Sequence, residues 1–201
     1  MKTLRAITVA FTFAGIALAQ TSAAPTGAPS PQFAAQSQPQ QTQRPAPPPP
    51  PKDTAKPEDV KSIEAITSAL YDVISCPAGP RNWDRMRSLF TPDAHMTVTG
   101  KRPDGTMAFR SLTPDDYVSR SGPLLEKEGF FERSIADKTE RYGNIAHVFS
   151  TYESRHEKGG QPFARGINSI QLVYGWGRWW ITSIAWDAER PDNQIPEKYL
   201  K

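Results

Sequence analysis

The chain has 201 residues, 20 of them proline, a formal net charge of +3 and a single cysteine, Cys76. One cysteine excludes an internal disulfide and a thiolate zinc site. Lys2, Arg5, Arg44, Lys52 and Lys56 precede the foldable part, which keeps 19 basic and 20 acidic groups. No basic field therefore steers nucleic acid to it.

Met1 to about Ala19 reads as a secretory signal. Lys2 and Arg5 give the positive start, Ala6 to Leu18 is apolar, and Ala17-Leu18-Ala19 is a small-x-small cleavage site. An uncleaved N-terminal membrane anchor is the alternative, although the apolar run is shorter than the ~20 residues of a span. No other segment could cross a membrane, and no cysteine follows the signal as a lipoprotein requires. The protein is thus expected to be exported, to the periplasm or beyond. Residues 20–56 are rich in Pro, Gln, Ala, Ser and Thr and end in "RPAPPPPPK". Such a segment has little to bury against its ordering entropy and reads as a disordered linker with a polyproline II spacer. Residues 57–201 are enough for one domain with a sizeable core.

In that domain, Val60, Ile63, Ile66, Leu70 and Ile74 recur at helical spacing and predict a helix over 58–75. Pro57 suits its first position, and Glu58 and Asp59 suit its dipole. Pro77, Gly79 and Pro80 end it. Asn82 is the N-cap of a second helix whose apolar face is Trp83, Met86, Leu89 and Phe90. Cys76, beside Pro77 and without a histidine near it in sequence, is a weak nucleophile candidate.

His95–Thr99 and Thr106–Leu112 read as a hairpin around "RPDG". "TPDD" at Thr113–Asp116 carries Thr as N-cap, Pro at the first position and Asp as a capping box, which predicts a third helix interrupted at Gly122-Pro123. Strands follow near 130–142, 144–157, 163–174 and 178–188. This order predicts an α+β fold, a curved antiparallel sheet wrapped around two to three N-terminal helices.

The last strand has a period of two. Trp180, Thr182, Ile184 and Trp186 share one face, and Trp179, Ile181, Ser183 and Ala185 share the other. Both faces are apolar, so both are expected to be covered. In the preceding strands Ile145, His147, Phe149 and Thr151 share a face. His95 and His156 sit at a strand start and beside a turn. The three histidines form no H-x-H or H-x-x-x-H pair, so no metal site is expected. "YGWG" and "KGG" lack the context of a phosphate loop, and no G-x-S-x-G elbow is present.

"NWDRMRSLFTPDAHMTV" and "GRWWITSIAWDAERP" resemble, respectively, the second-helix-to-first-strand signature and the closing strand of the nuclear transport factor 2-like superfamily, in its SnoaL-like and ketosteroid-isomerase-like members. The resemblance covers about residues 58–190. It implies a cone-shaped α+β barrel with a pocket inside the open end and an outer sheet face that often meets a second subunit, hence a homodimer. Members include isomerases, dehydratases, hydrolases and pure binding modules, so the fold does not give the reaction. It implies no cofactor.

In the isomerases of the family the catalytic base sits on the first strand, and the alignment places that position at Val98, which cannot take a proton. The resemblance puts Tyr71 and Asn168 at the oxyanion-donor positions and His147 on the concave face, where it is a candidate general base. Met96, Val98, Phe149, Ile170, Trp180, Thr182, Ile184 and Trp186 are the pocket-lining residues expected on this basis. The leading expectation is a cone that binds a small, largely apolar molecule. The alternatives are an isomerase-, dehydratase- or hydrolase-type enzyme using His147, Tyr71 and Asn168, and a protein-association module whose cone is filled.

Overall fold

The computed structural model describes residues 53–201. The expected signal at 1–19 and nearly all of the expected linker at 20–56 lie outside the described residues. The elements run α1 (Pro57–Val60), α2 (Ile63–Ile74), α3 (Trp83–Ser88), β1 (Phe90–Lys101), β2 (Met107–Leu112), α4 (Pro114–Lys127), β3 (Phe131–Tyr142), β4 (Ile145–Arg155), β5 (Ala164–Gly175) and β6 (Arg178–Ala188), with a 3-10 turn at Glu197–Tyr199.

The helix expected over 58–75 is two helices. The Ser62 hydroxyl accepts the Ala65 N–H at 3.0 Å and starts α2 afresh. Asn82 caps α3 by accepting from Arg85 N–H at 2.9 Å, and the Thr113–Asp116 capping box is complete. Helix α4 continues through Pro123 rather than stopping there. Proline removes one backbone bond, but Pro123 and Ser119, whose carbonyl is freed, are both exposed to water. On the inner side Gly122 lets the Trp83 ring come close: an added Cβ would meet it at 3.4 Å.

The architecture is α+β, as expected. Its six-stranded sheet has the order β2-β1-β6-β5-β4-β3. It is mixed rather than wholly antiparallel, because β1 runs parallel to β6, and it is open, with β2 and β3 as edges rather than a closed barrel. Ile66, Leu70 and Met86 of the helices pack with Val148, Ile170, Leu172, Ile181 and Ile184 of the sheet in one core. Burial of these side chains, at roughly 25 cal/mol per Å² of apolar surface, is the main force holding helices to sheet.

The concave face of β4 carries Ala146, Val148, Ser150, Tyr152 and Ser154, all buried. His147 and Phe149 therefore point outwards, against the expected phase. The small Ala146 and Val148 fit under α2, which the bulkier alternate set could not. The chain beyond β6 folds back over that outer face. Ile195 is buried, the Tyr199 ring lies 4.9 Å from Phe149, and Thr151 Oγ1 donates to the Tyr199 carbonyl at 2.6 Å. The protein's own C-terminal segment thus covers part of the surface assigned above to a second subunit.

In β6 the strict alternation breaks at Thr182. Gln171 pairs with Ser183 and Leu172 with Ile181, which leaves Thr182 as a bulge. The phase flips there. Trp179, Ile181, Ile184 and Trp186 all belong to the core side, whereas Trp180 turns to the other face and lies under the Arg178 guanidinium, 3.3 Å from its ring centroid. The expected common face of Trp180, Thr182, Ile184 and Trp186 is not formed.

Candidate functional site: a polar cluster in the concave cavity

A cavity of about 230 Å³ lies between α2, α4 and the concave sheet. It has room for several waters, or a small organic molecule. Its apolar wall is Leu70, Ile74, Met86, Met96, Ile184 and Trp186, with Phe130 and Ala164. Register explains this wall: Met96 pairs with Ile184 across β1 and β6, and Trp186 pairs with Asn168 across β6 and β5. Tyr117 of α4 meets Trp186 edge-on at 6.4 Å between centroids.

The polar wall is Tyr71, Glu132, Tyr152, Ser154 and Asn168. Tyr71 comes from the last turns of α2, and its hydroxyl lies 2.6 Å from Ser150 Oγ. Asn168 Nδ2 donates to the Tyr71 hydroxyl at 3.1 Å, and its amide is near enough to the Glu132 carboxyl to favour the ionised form. Ser154 Oγ donates to Glu132 Oε2 at 2.7 Å. The backbone of Glu132 is pinned to the end of α2, because its N–H donates to Ser75 Oγ at 2.9 Å. Two sets of hydrogen bonds therefore lie side by side on the floor, Ser150–Tyr71–Asn168 and Ser154–Glu132.

Burial pushes the Glu132 carboxyl up to about 7, partly offset by the hydrogen bond from Ser154 and by the nearby Asn168 amide. Burial also drives the Tyr71 hydroxyl well above the usual tyrosine range, against the hydrogen bonds from Ser150 and Asn168. Tyr71 is thus a neutral donor or acceptor at any physiological pH. Glu132 can hold or release a proton near neutrality.

The cavity brings together Tyr71, Asn168, Met96, Ile184 and Trp186 of the expected site residues. Val98 follows Met96 on the same face of β1 but does not line the cavity. Ile170 is fully buried and is closed off in the core. His147 is on the outer face, with Nε2 at 2.9 Å from Ser169 Oγ, remote from the polar cluster. Phe149 is beside it, under Tyr199. Trp180 is on the outer side, and Thr182 bonds to the Gln171 carbonyl at the bulge.

Sequence reasoning missed Glu132, Ser154, Tyr117 and Tyr152. Nothing in "FFERSIADKTERY" separates Glu132 from the exposed Glu140 of the same strand. The distinction arises only when β4 pairs Ser154 with Glu132 and α2 closes over both.

Compared with known proteins, no family model matches the chain, and no curated protein matches it. Solved structures do. A cystatin-like-fold protein of unknown function from Nostoc punctiforme is 10% identical, with a TM-score of 0.49, over 64% of this chain and 90% of that one. A nuclear transport factor 2-like protein of unknown function from Silicibacter pomeroyi is 14% identical (TM-score 0.42; 63% and 92% covered). A candidate ketosteroid isomerase from Parabacteroides distasonis is 13% identical (TM-score 0.44; 65% and 91% covered). At these identities the likeness concerns fold alone.

Proposed function

We propose that the cavity binds a small, largely apolar molecule bearing a carbonyl or similar acceptor, and that Glu132 moves a proton on it, as an isomerase- or dehydratase-type enzyme does. The observation that carries this reading is the Glu132 carboxyl, held by Ser154 beside the Asn168–Tyr71 pair, opposite the apolar wall of the cavity. Val98 removes the base expected on β1; Glu132 supplies an acid–base group from β3.

In such a reaction the Glu132 carboxylate takes a proton from the carbon next to the carbonyl. The C–H electron pair moves into a new C=C bond, and negative charge gathers on the oxygen. Asn168 and Tyr71 are the neutral donors available to that oxygen. Ser150 can donate to Tyr71, which frees the Tyr71 proton for the ligand. A carboxyl that titrates near 7 populates both forms at working pH, as general acid–base catalysis favours. The leader expected at the N-terminus would carry this activity out of the cytoplasm.

The test is deuterium incorporation next to the carbonyl of cyclohexanone in heavy water, followed by NMR. The wild type should exchange faster than the buffer, and Glu132→Gln should reduce exchange to the buffer rate. Equal exchange by both proteins would remove Glu132 from the mechanism. Line broadening of the probe without exchange would leave a binding domain only.

A further inference from the structure

At the end of the sheet remote from the cavity, two hairpin tips lie side by side. Tyr142, Gly143, Asn144 and Ile145 join β3 to β4, and Tyr174 to Arg178 join β5 to β6. The Tyr174 N–H donates to the Asn144 carbonyl at 2.8 Å and ties the tips together. Four large side chains there face solvent: Tyr142 is 85% exposed, Ile145 60%, Trp176 53% and Tyr174 39%.

Trp176 sits in the left-handed region at φ 50°, the only non-glycine residue to do so among the described residues, followed by Gly177 at φ 82°. This is a hairpin turn whose first central position favours Asn or Gly; a tryptophan there costs of order 1 kcal/mol. The strain holds an indole out at the apex of the tip. It meets Trp180 of its own domain edge-on, at 5.9 Å between ring centroids.

The preceding chain joins the domain at the same end. Asp53 pairs with Arg178, the residue after Gly177, at 3.4 Å. The 52 residues before Asp53 include the apolar run Ala6–Leu18. From Asn168 to Gly175 the strand rises ~23 Å at about 3.3 Å per residue, which separates the tips from the polar cluster.

Tryptophan and tyrosine are the side chains that settle at the membrane–water interface, where a flat apolar ring and a polar handle are both accommodated. A protruding tip presents them to a layer it can enter, at the end where the chain bearing the apolar run Ala6–Leu18 joins the domain. Arg141 at the base of the tip donates Nε to the Gly143 carbonyl at 3.0 Å and lies over the Trp179 ring, 5.1 Å from its centroid. We propose that these two hairpin tips rest in the interfacial layer of a lipid bilayer, with the cavity at the distal end facing away from it. Attachment is through aromatic rings rather than net charge, so it should be insensitive to salt. This inference is independent of the reaction proposed for the cavity.

The experiment mixes the full chain with phosphatidylcholine vesicles brominated near the headgroup end of the acyl chains and reads tryptophan fluorescence. Residues 1–52 contain no tryptophan, so quenching reports on the domain and not on the leader. The wild type should be quenched, equally at low and high salt. Trp176→Phe should lose that quenching. Trp176→Gly should lose it too while melting no lower than the wild type, because glycine relieves the backbone strain, and this guards against mere misfolding. Absence of quenching in the wild type, equal quenching in Trp176→Phe, or a concentration-dependent emission shift without vesicles would each overturn the proposal. The last would mark the tips as a contact between copies.

Discussion

The Tyr152 hydroxyl crosses Gly166 on the neighbouring strand so closely that a Cβ at Gly166 would overlap both it and the Asp187 carbonyl. Tyr152 is held at this angle as part of the cavity wall, so a missing side chain on β5 decides where a ring on β4 can lie. Gly166→Ala forces the ring towards the cavity. Overpacking of this kind costs about 1–3 kcal/mol. The expected result is a lower thermal midpoint, together with weaker binding of any cavity ligand; an unchanged midpoint would mean that the strands yield.

Glu132 makes stability depend on pH in a direction opposite to most carboxylates. Its folded value, about 7, lies above the ordinary value of 4.5. Between these the unfolded chain releases the proton while the native protein keeps it, so stability falls as pH rises through this window. Below it both states are protonated and the effect vanishes. Glu132→Gln should flatten the stability profile there, measured by urea midpoints across the range. A slope unchanged in the variant would assign the effect to another group.

Asp59 behaves in the ordinary direction. It is buried, and Arg85 grips it with Nε at 2.7 Å and Nη2 at 2.8 Å. That hydrogen-bonded pairing holds its carboxyl below the usual range. Its contribution is present at neutral pH and is lost as pH falls below the ordinary carboxylate value. Arg85→Ala leaves the buried charge unpaired, at a cost of roughly 3 kcal/mol. Arg85→Lys should recover part of it, since a lysine cannot reproduce the two-pronged contact. Chemical denaturation of the two variants checks the order.

Thr182 sets the phase of β6. Deleting it removes the bulge but keeps every core residue in phase, because Ser183 then follows Ile181, and Ile184 and Trp186 fall two and four places after Ile181 on the same face. The deletion should therefore keep a cooperative melt and the tryptophan signal in near-ultraviolet circular dichroism. Loss of both would mean that the bulged geometry itself, and not the phase of the strand, is what the fold requires.

Elements with local chemistry were legible in the sequence. Asn82, Thr113 and Asp116 announce their helices because a cap needs only residues a few positions apart. Tyr71 and Asn168 were found through family likeness, and they do meet. What could not be read depends on long-range registration. A bulge adds no recognisable residue, so the even alternation of "RWWITSIAW" concealed the flip at Thr182. His147 was assigned to the wrong face because either phase of "IAHVFSTY" offers apolar residues, and only the space under α2 chooses. Glu132 looked like surface charge until the pairing with Ser154 enclosed it.

The parallel contact of β1 with β6 also governs how the chain can acquire its structure. Phe90 pairs with Ile181 and Val98 with Trp186, so the centre of the sheet is closed by segments far apart in the chain. The meander β3 to β6 needs only neighbouring hairpins and can form locally. Seating β1 requires closing a loop that contains every other strand, an entropic step that slows folding as contact distance grows. Refolding should therefore be limited by that closure. Trp186→Phe, which weakens the side chain that faces Val98 across this closing contact, should slow folding more than it speeds unfolding, as stopped-flow measurements would reveal.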